Sequence, residues 1–127
     1  GRVRVRAYLA PIADAYAASD FAVTRAGAMT TAELFAWGIP PVLVPLPTAA
    51  ADHQTANAVT LERAGAAVHL PQREFTTDRL DAVVRELLAS PDRLRAMAAA
   101  GAARARPDAA KEIAVRVLAV AKSGSRV

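Results

Sequence analysis

The chain has 127 residues, is 54% hydrophobic and 5% aromatic, carries a formal net charge of +4 and contains no cysteine. This length fits one domain; the lack of thiols excludes a disulfide framework, thiolate chemistry and a Cys-based zinc site; and two histidines without clustered carboxylates argue against a metal centre. Few aromatics leave no stacking platform for single-stranded nucleic acid, and the basic residues beyond Arg63 interleave with Asp and Glu, as on a solvated helix face rather than a nucleic-acid footprint.

The apolar runs are too short to span a bilayer, and no signal peptide is evident. Weak attraction to an anionic membrane surface remains compatible with the charge.

Val3 and Val5 alternate with Arg2, Arg4 and Arg6, the period of a strand with one charged face. A chain that opens on Gly1 and on a strand is expected to begin mid-fold, as part of a longer protein. Residues 8–11 read as a loop and residues 12–18 as a short helix with Asp14 in its first turn. Residues 21–23 make a short buried strand. Thr30-Thr31-Ala32-Glu33 then fits a capping box, which starts a helix at Thr30; Gly38 stops it, and Pro40 and Pro41 forbid continuation.

Residues 42–44 are apolar without alternation, as in a strand covered on both faces. A loop of small residues, 48–51, follows, and Asp52 caps a helix to about Ala64, which Gly65 stops. Residues 66–70 form a fourth strand. The alternation of strands and helices with short links implies an α/β fold with a parallel sheet. From Thr77 the chain is helical. Leu80, Val83, Val84, Leu87 and Leu88 fit one helical face, Ser90-Pro91-Asp92 opens another helix, and Ile113, Val117, Leu118 and Val120 mark a last one. Residues 123–127 are expected to fray.

In an open parallel sheet the strand-to-helix handovers share one edge, where ligands bind. Glu33 and the group Asp52, His53 and Gln54 are therefore expected to face one crevice. Behind Gly27-Ala28-Met29-Thr30 the free amides of a helix start can meet a phosphate or a sugar hydroxyl. Glu33 offers two acceptor oxygens that suit a vicinal diol such as a ribose, and Gln54 can donate to and accept from a sugar hydroxyl, as can His53. Together they suggest a nucleotide-sugar site. Plainer roles fit the same residues: spacing alone favours Glu33 as the capping-box acid, Arg25 can hold a ligand phosphate or pair with an acid, and Asn57 can bond to loop backbone. His69 and Trp37 are read as structural. No Walker loop, G-x-G-x-x-G motif or base with an orienting partner is evident.

The runs A-Y-A-A-S-D-F-A-V-T-R-A-G-A-M-T-T-A-E-L, G-I-P-P-V-L-V-P-L-P, D-H-Q-T-A-N-A and L-E-R-A-G-A-A occur in this order. Together they closely resemble the C-terminal half of the MurG family, the peptidoglycan N-acetylglucosaminyltransferases of the GT-B class. The resemblance is strong over residues 8–67 and in layout only beyond. It implies a Rossmann-like sheet with helices on both faces, ending in two or three helices, as a partial donor-binding domain over residues 1–122.

By resemblance, Glu33 holds the ribose hydroxyls, and Ala28, Met29 and Thr30 meet the donor near its diphosphate. His53 and Gln54 hold the GlcNAc hydroxyls, and the backbone of Leu9 meets the uracil. The implied activity is inverting transfer of GlcNAc from UDP-GlcNAc to lipid I, giving lipid II, at the cytoplasmic face of the bacterial inner membrane, with no metal or cofactor required. The family's G-G-S loop and its N-terminal domain, with the acceptor site, the candidate base and the main membrane-docking surface, are not in this sequence; the chain alone is expected to be inactive. A GT-B enzyme with another acceptor, or a non-catalytic nucleotide-binding module, remain the alternatives.

Overall fold

The structure, a computed structural model, describes residues 3–47 and 51–124; the side chains of Ala51, Asp52 and Gly124 lie outside the described set. The small-residue loop at 48–50, the expected Asp52 cap and residues 125–127 therefore fall outside it as well.

In chain order the elements are α1 (Ile12–Ala17), β1 (Ala22–Thr24), α2 (Ala28–Ala36), β2 (Pro41–Leu43), α3 (Ala51–Arg63), β3 (Val68–His69), a 3-10 turn (Gln72–Glu74), α4 (Thr77–Leu88), α5 (Pro91–Ala102) and α6 (Ala109–Gly124). The three strands form a parallel sheet in the order β1-β2-β3, with Val23 opposite Val42 and Val42 opposite Val68.

Side chains alternate across a strand, and β2 shows how both of its faces are covered. Leu43 joins a core cluster with Ala26, Phe35, Ala58 and Leu61, drawn from the β1–α2 loop, α2 and α3. Val42 and Val44 point the other way, to Leu70, Val83, Leu87 and Met97 on the α4–α5 side. Val42 and Leu43 are fully buried. Continuous apolar sequence in β2 thus reflects helices on both sides, and the chain ends in three helices after the 3-10 turn.

Four expectations change. Val3 to Arg6 form no strand; Val3 and Val5 are 86% and 91% exposed. Alternation is a local signal, and a strand also needs a neighbour for its backbone groups. The last strand is shorter than expected, Val68–His69, because its flanks Ala66 and Ala67 pack into the core while leaving the ladder. Strand β1, expected to be buried over residues 21–23, spans Ala22–Thr24 and is only partly buried, with Val23 40% exposed. Helix α6 buries no apolar stripe: Ile113, Val115, Val117, Leu118 and Val120 are all at least 59% exposed. The mixed charges of α4 and α5 do lie on solvated faces, where Arg85 pairs with Asp81 at 2.7 Å and Arg93 with Glu86.

Gly38 follows the end of α2 at φ +68°, with nothing within 4 Å of where a Cβ would stand. The left-handed backbone alone disfavours a side chain there, so Gly38→Ala is expected to cost about 1–2 kcal/mol, read as a lower urea midpoint with an unchanged m-value.

Candidate functional site

Helix α2 begins two residues earlier than its capping signature implies. Gly27 is the N-cap, extended at φ −69° and ψ 139°, and no side chain caps the helix. The Thr31 hydroxyl instead lies 3.0 Å from the carbonyls of Gly27 and Ala28, and its single hydrogen bonds back to one of them at a time. Thr31 is buried and fixes the first turn from within. The amides of Ala28, Met29 and Thr30 face outward from a positive helix end, with exposed Ala28 and Met29 beside them.

Glu33 is accordingly in the second turn and is no capping acid. Its Oε2 accepts a hydrogen bond from Tyr16 Oη of α1 at 2.8 Å. Trp37, four residues on and on the same face of α2, packs its ring against Tyr16 at a centroid distance of 6.0 Å. Donation to the Glu33 carboxylate raises the Tyr16 phenol above its ordinary range, and burial adds to the effect. A raised phenol favours the folded state below the ordinary tyrosine range, near about 10, and that contribution is lost as pH climbs through the folded value. Tyr16 is thus a protonated donor at neutral pH.

One further bond ties the β2–α3 handover to this one, and a second lies within it. Asn57 Nδ2 of α3 donates to the Ala26 carbonyl in the β1–α2 loop at 3.1 Å, the loop-backbone role its sequence position allowed. Gln54 Oε1 accepts from the Leu46 amide after β2 at 3.2 Å, which occupies one lone pair of its carbonyl and leaves the NH2 group and the second lone pair. His53 is exposed beside it.

Arg25 pairs with no acid among the described residues: its Nη1 donates to the Val44 carbonyl at 3.2 Å and to Gln72, strapping the ends of β1 and β2 to the turn after β3. Among the described residues, His69 Nε2 is buried without a hydrogen-bond partner. On the α1 side, Leu9 lines a cavity of about 320 Å³ with Arg4, Arg6 and Asp14.

The seven expected ligand-binding residues, Leu9, Ala28, Met29, Thr30, Glu33, His53 and Gln54, therefore lie on three neighbouring segments: the lead into α1, the start of α2 and the start of α3. Sequence reasoning missed Tyr16. The available signal was a lone polar aromatic among the alanines of a short helix.

The glycosyltransferase family 28 C-terminal domain matches residues 1–113. The chain belongs to this family. The domain is also similar to proteins named UDP-N-acetylglucosamine–N-acetylmuramyl-(pentapeptide) pyrophosphoryl-undecaprenol N-acetylglucosamine transferase. The one from Salinibacter ruber is 52% identical over 94% of this chain and 32% of the relative; the one from Moorella thermoacetica is 45% identical over 98% and 33%. The crystal structure of Acinetobacter baumannii MurG superposes with a TM-score of 0.77 at 35% identity, over 87% of this chain and 31% of that one. This family 28 domain thus has the Rossmann-like fold of the GT-B C-terminal half, and it spans about a third of the length of the curated relatives it matches.

Proposed function

We propose that this chain is the donor-binding part of an inverting glycosyltransferase that moves GlcNAc from UDP-GlcNAc to the C4 hydroxyl of the MurNAc-pentapeptide of lipid I, giving lipid II. The observation that carries the reading is the pair of hydrogen bonds Tyr16–Glu33 and Asn57–Ala26, which bring the three ligand-binding segments side by side. Their order then follows the order of groups along the donor. Uracil lies by Leu9, the ribose diol on Glu33, the diphosphate against the amides of Ala28, Met29 and Thr30, and the sugar between His53 and Gln54.

In the reaction the acceptor oxygen attacks the anomeric carbon, the bond to the β-phosphate oxygen breaks, and UDP departs while the acceptor proton passes to a base outside this chain. Charge builds on the departing diphosphate. Outward amides at the start of α2 are preorganised to meet it, and donors of this kind are worth roughly 10²–10³ in rate each when the site is closed to water. The acceptor, the base and attachment to the cytoplasmic face of the inner membrane are assigned to the remainder of the enzyme; among the described residues no helix is long and apolar enough to cross a membrane.

Calorimetric titration of the full-length gene product with UDP-GlcNAc, UDP-glucose, UDP and ADP tests the donor. UDP-GlcNAc is expected to bind tightest and ADP weakest. Failure of every uridine ligand to bind would contradict the reading.

A further inference from the structure

We propose that Tyr16 is a positioning residue for donor binding: its phenol holds the Glu33 carboxylate in the orientation that receives the ribose hydroxyls. The inference rests on the assignment of Glu33 as the ribose ligand. Glu33 is an exposed side chain with three rotatable bonds, and immobilising such a side chain opposes binding. Tyr16 imposes much of that order before a ligand arrives, through the 2.8 Å bond to Oε2. One lone pair of Oε2 is taken; Oε1 and the rest of Oε2 stay available for the two hydroxyls of a vicinal diol.

The tyrosine is itself held. Helix α1 has only six residues and buries none of them fully, so its own packing fixes little. The ring rests against Trp37, tilted by 49°, on the same face of α2 as Glu33. Glu33, Tyr16 and Trp37 thus form a short stack, with aromatic packing behind and a carboxylate in front. The same bond draws α1, and with it the Leu9 cavity, towards the ribose end of the site. A merely structural tyrosine would affect all ligands alike. A tyrosine that aims Glu33 affects only ligands with ribose hydroxyls.

The test compares the full-length gene product with its Tyr16→Phe, Glu33→Ala and doubly substituted forms. Calorimetry uses UDP-GlcNAc and its analogue lacking the 2′- and 3′-hydroxyls of the ribose. Phenylalanine keeps the ring on Trp37 and removes only the donor. Tyr16→Phe is expected to weaken UDP-GlcNAc binding by roughly 5-fold, the worth of one net hydrogen bond, while binding of the analogue is unchanged. In the Glu33→Ala background it is expected to change nothing, and in steady state KM is expected to rise at constant kcat.

Equal weakening of both ligands, or a further loss in the Glu33→Ala background, would overturn the positioning role. So would wild-type affinity in Tyr16→Phe alongside weakened Glu33→Ala. Wild-type affinity in Glu33→Ala would remove the ribose assignment and this inference with it.

Discussion

Glu33→Ala is expected to raise the dissociation constant for UDP-GlcNAc by roughly 10- to 100-fold, because hydrogen bonds to a charged group contribute about 1.5–3 kcal/mol. It also removes the hydrogen bond from Tyr16, at an expected cost of about 0.5–1.5 kcal/mol to the stability of the domain. Affinity is therefore the readout that separates the two roles the sequence left open. A capping acid would cost stability, by an amount in the range of about 0.5–2 kcal/mol known for lost caps, without touching affinity. The geometry takes the other side. The helix starts at Ala28, the carboxylate sits in the second turn, and its partner is Tyr16 rather than a backbone amide.

The second large effect lies behind the site. Gly101 of α5 packs against the ring of Phe35 in α2; a Cβ there would stand 2.5 Å from Phe35 Cδ1 and 2.9 Å from Cε1. Phe35 is 5% exposed and locked among Leu43, Ala58 and Leu61, so its ring has nowhere to go. Gly101→Ala gains up to about 1 kcal/mol of helix propensity. Overpacking opposes this with about 1–3 kcal/mol or more. The net expectation is a loss of about 1–2 kcal/mol in urea unfolding, larger for Gly101→Val, and partly relieved by Phe35→Leu. Because α2 also carries Glu33 and the amides of Ala28 to Thr30, Gly101→Val is expected to weaken donor binding as well, although it lies on the far side of that helix. Stabilisation by Gly101→Ala would mean that α2 and α5 are not so closely opposed.

Much of this arrangement was legible in the sequence because its causes are local or periodic. The continuous apolar run at β2, the stripe of α4 and the glycine and proline stops around α2 each report a backbone preference or a buried face. The start of α2 was misread for an instructive reason: T-T-A-E has the composition of a capping box, but Gly27 already supplies the extended N-cap conformation, so the helix begins before the threonines can cap it. The expected strand at Val3 failed because pairing depends on a neighbour that periodicity cannot report.

What remained hidden were contacts between residues far apart in the chain. Tyr16 reaches Glu33 across 17 positions, Arg25 reaches Gln72 across 47, and Gly101 meets Phe35 only once two helices are packed. Residue types alone showed that Glu33 and Gln54 could bind a sugar nucleotide. They could not show that Gln54 also accepts a hydrogen bond from the Leu46 amide, just after β2.

The most direct test is a crystal structure of the full-length gene product with UDP-GlcNAc bound. The ribose hydroxyls are expected within hydrogen-bond distance of the Glu33 carboxylate, the diphosphate against the amides at the start of α2, and the amino sugar beside His53 and Gln54. A donor seated elsewhere, or with its ribose turned away from Glu33, would contradict the account.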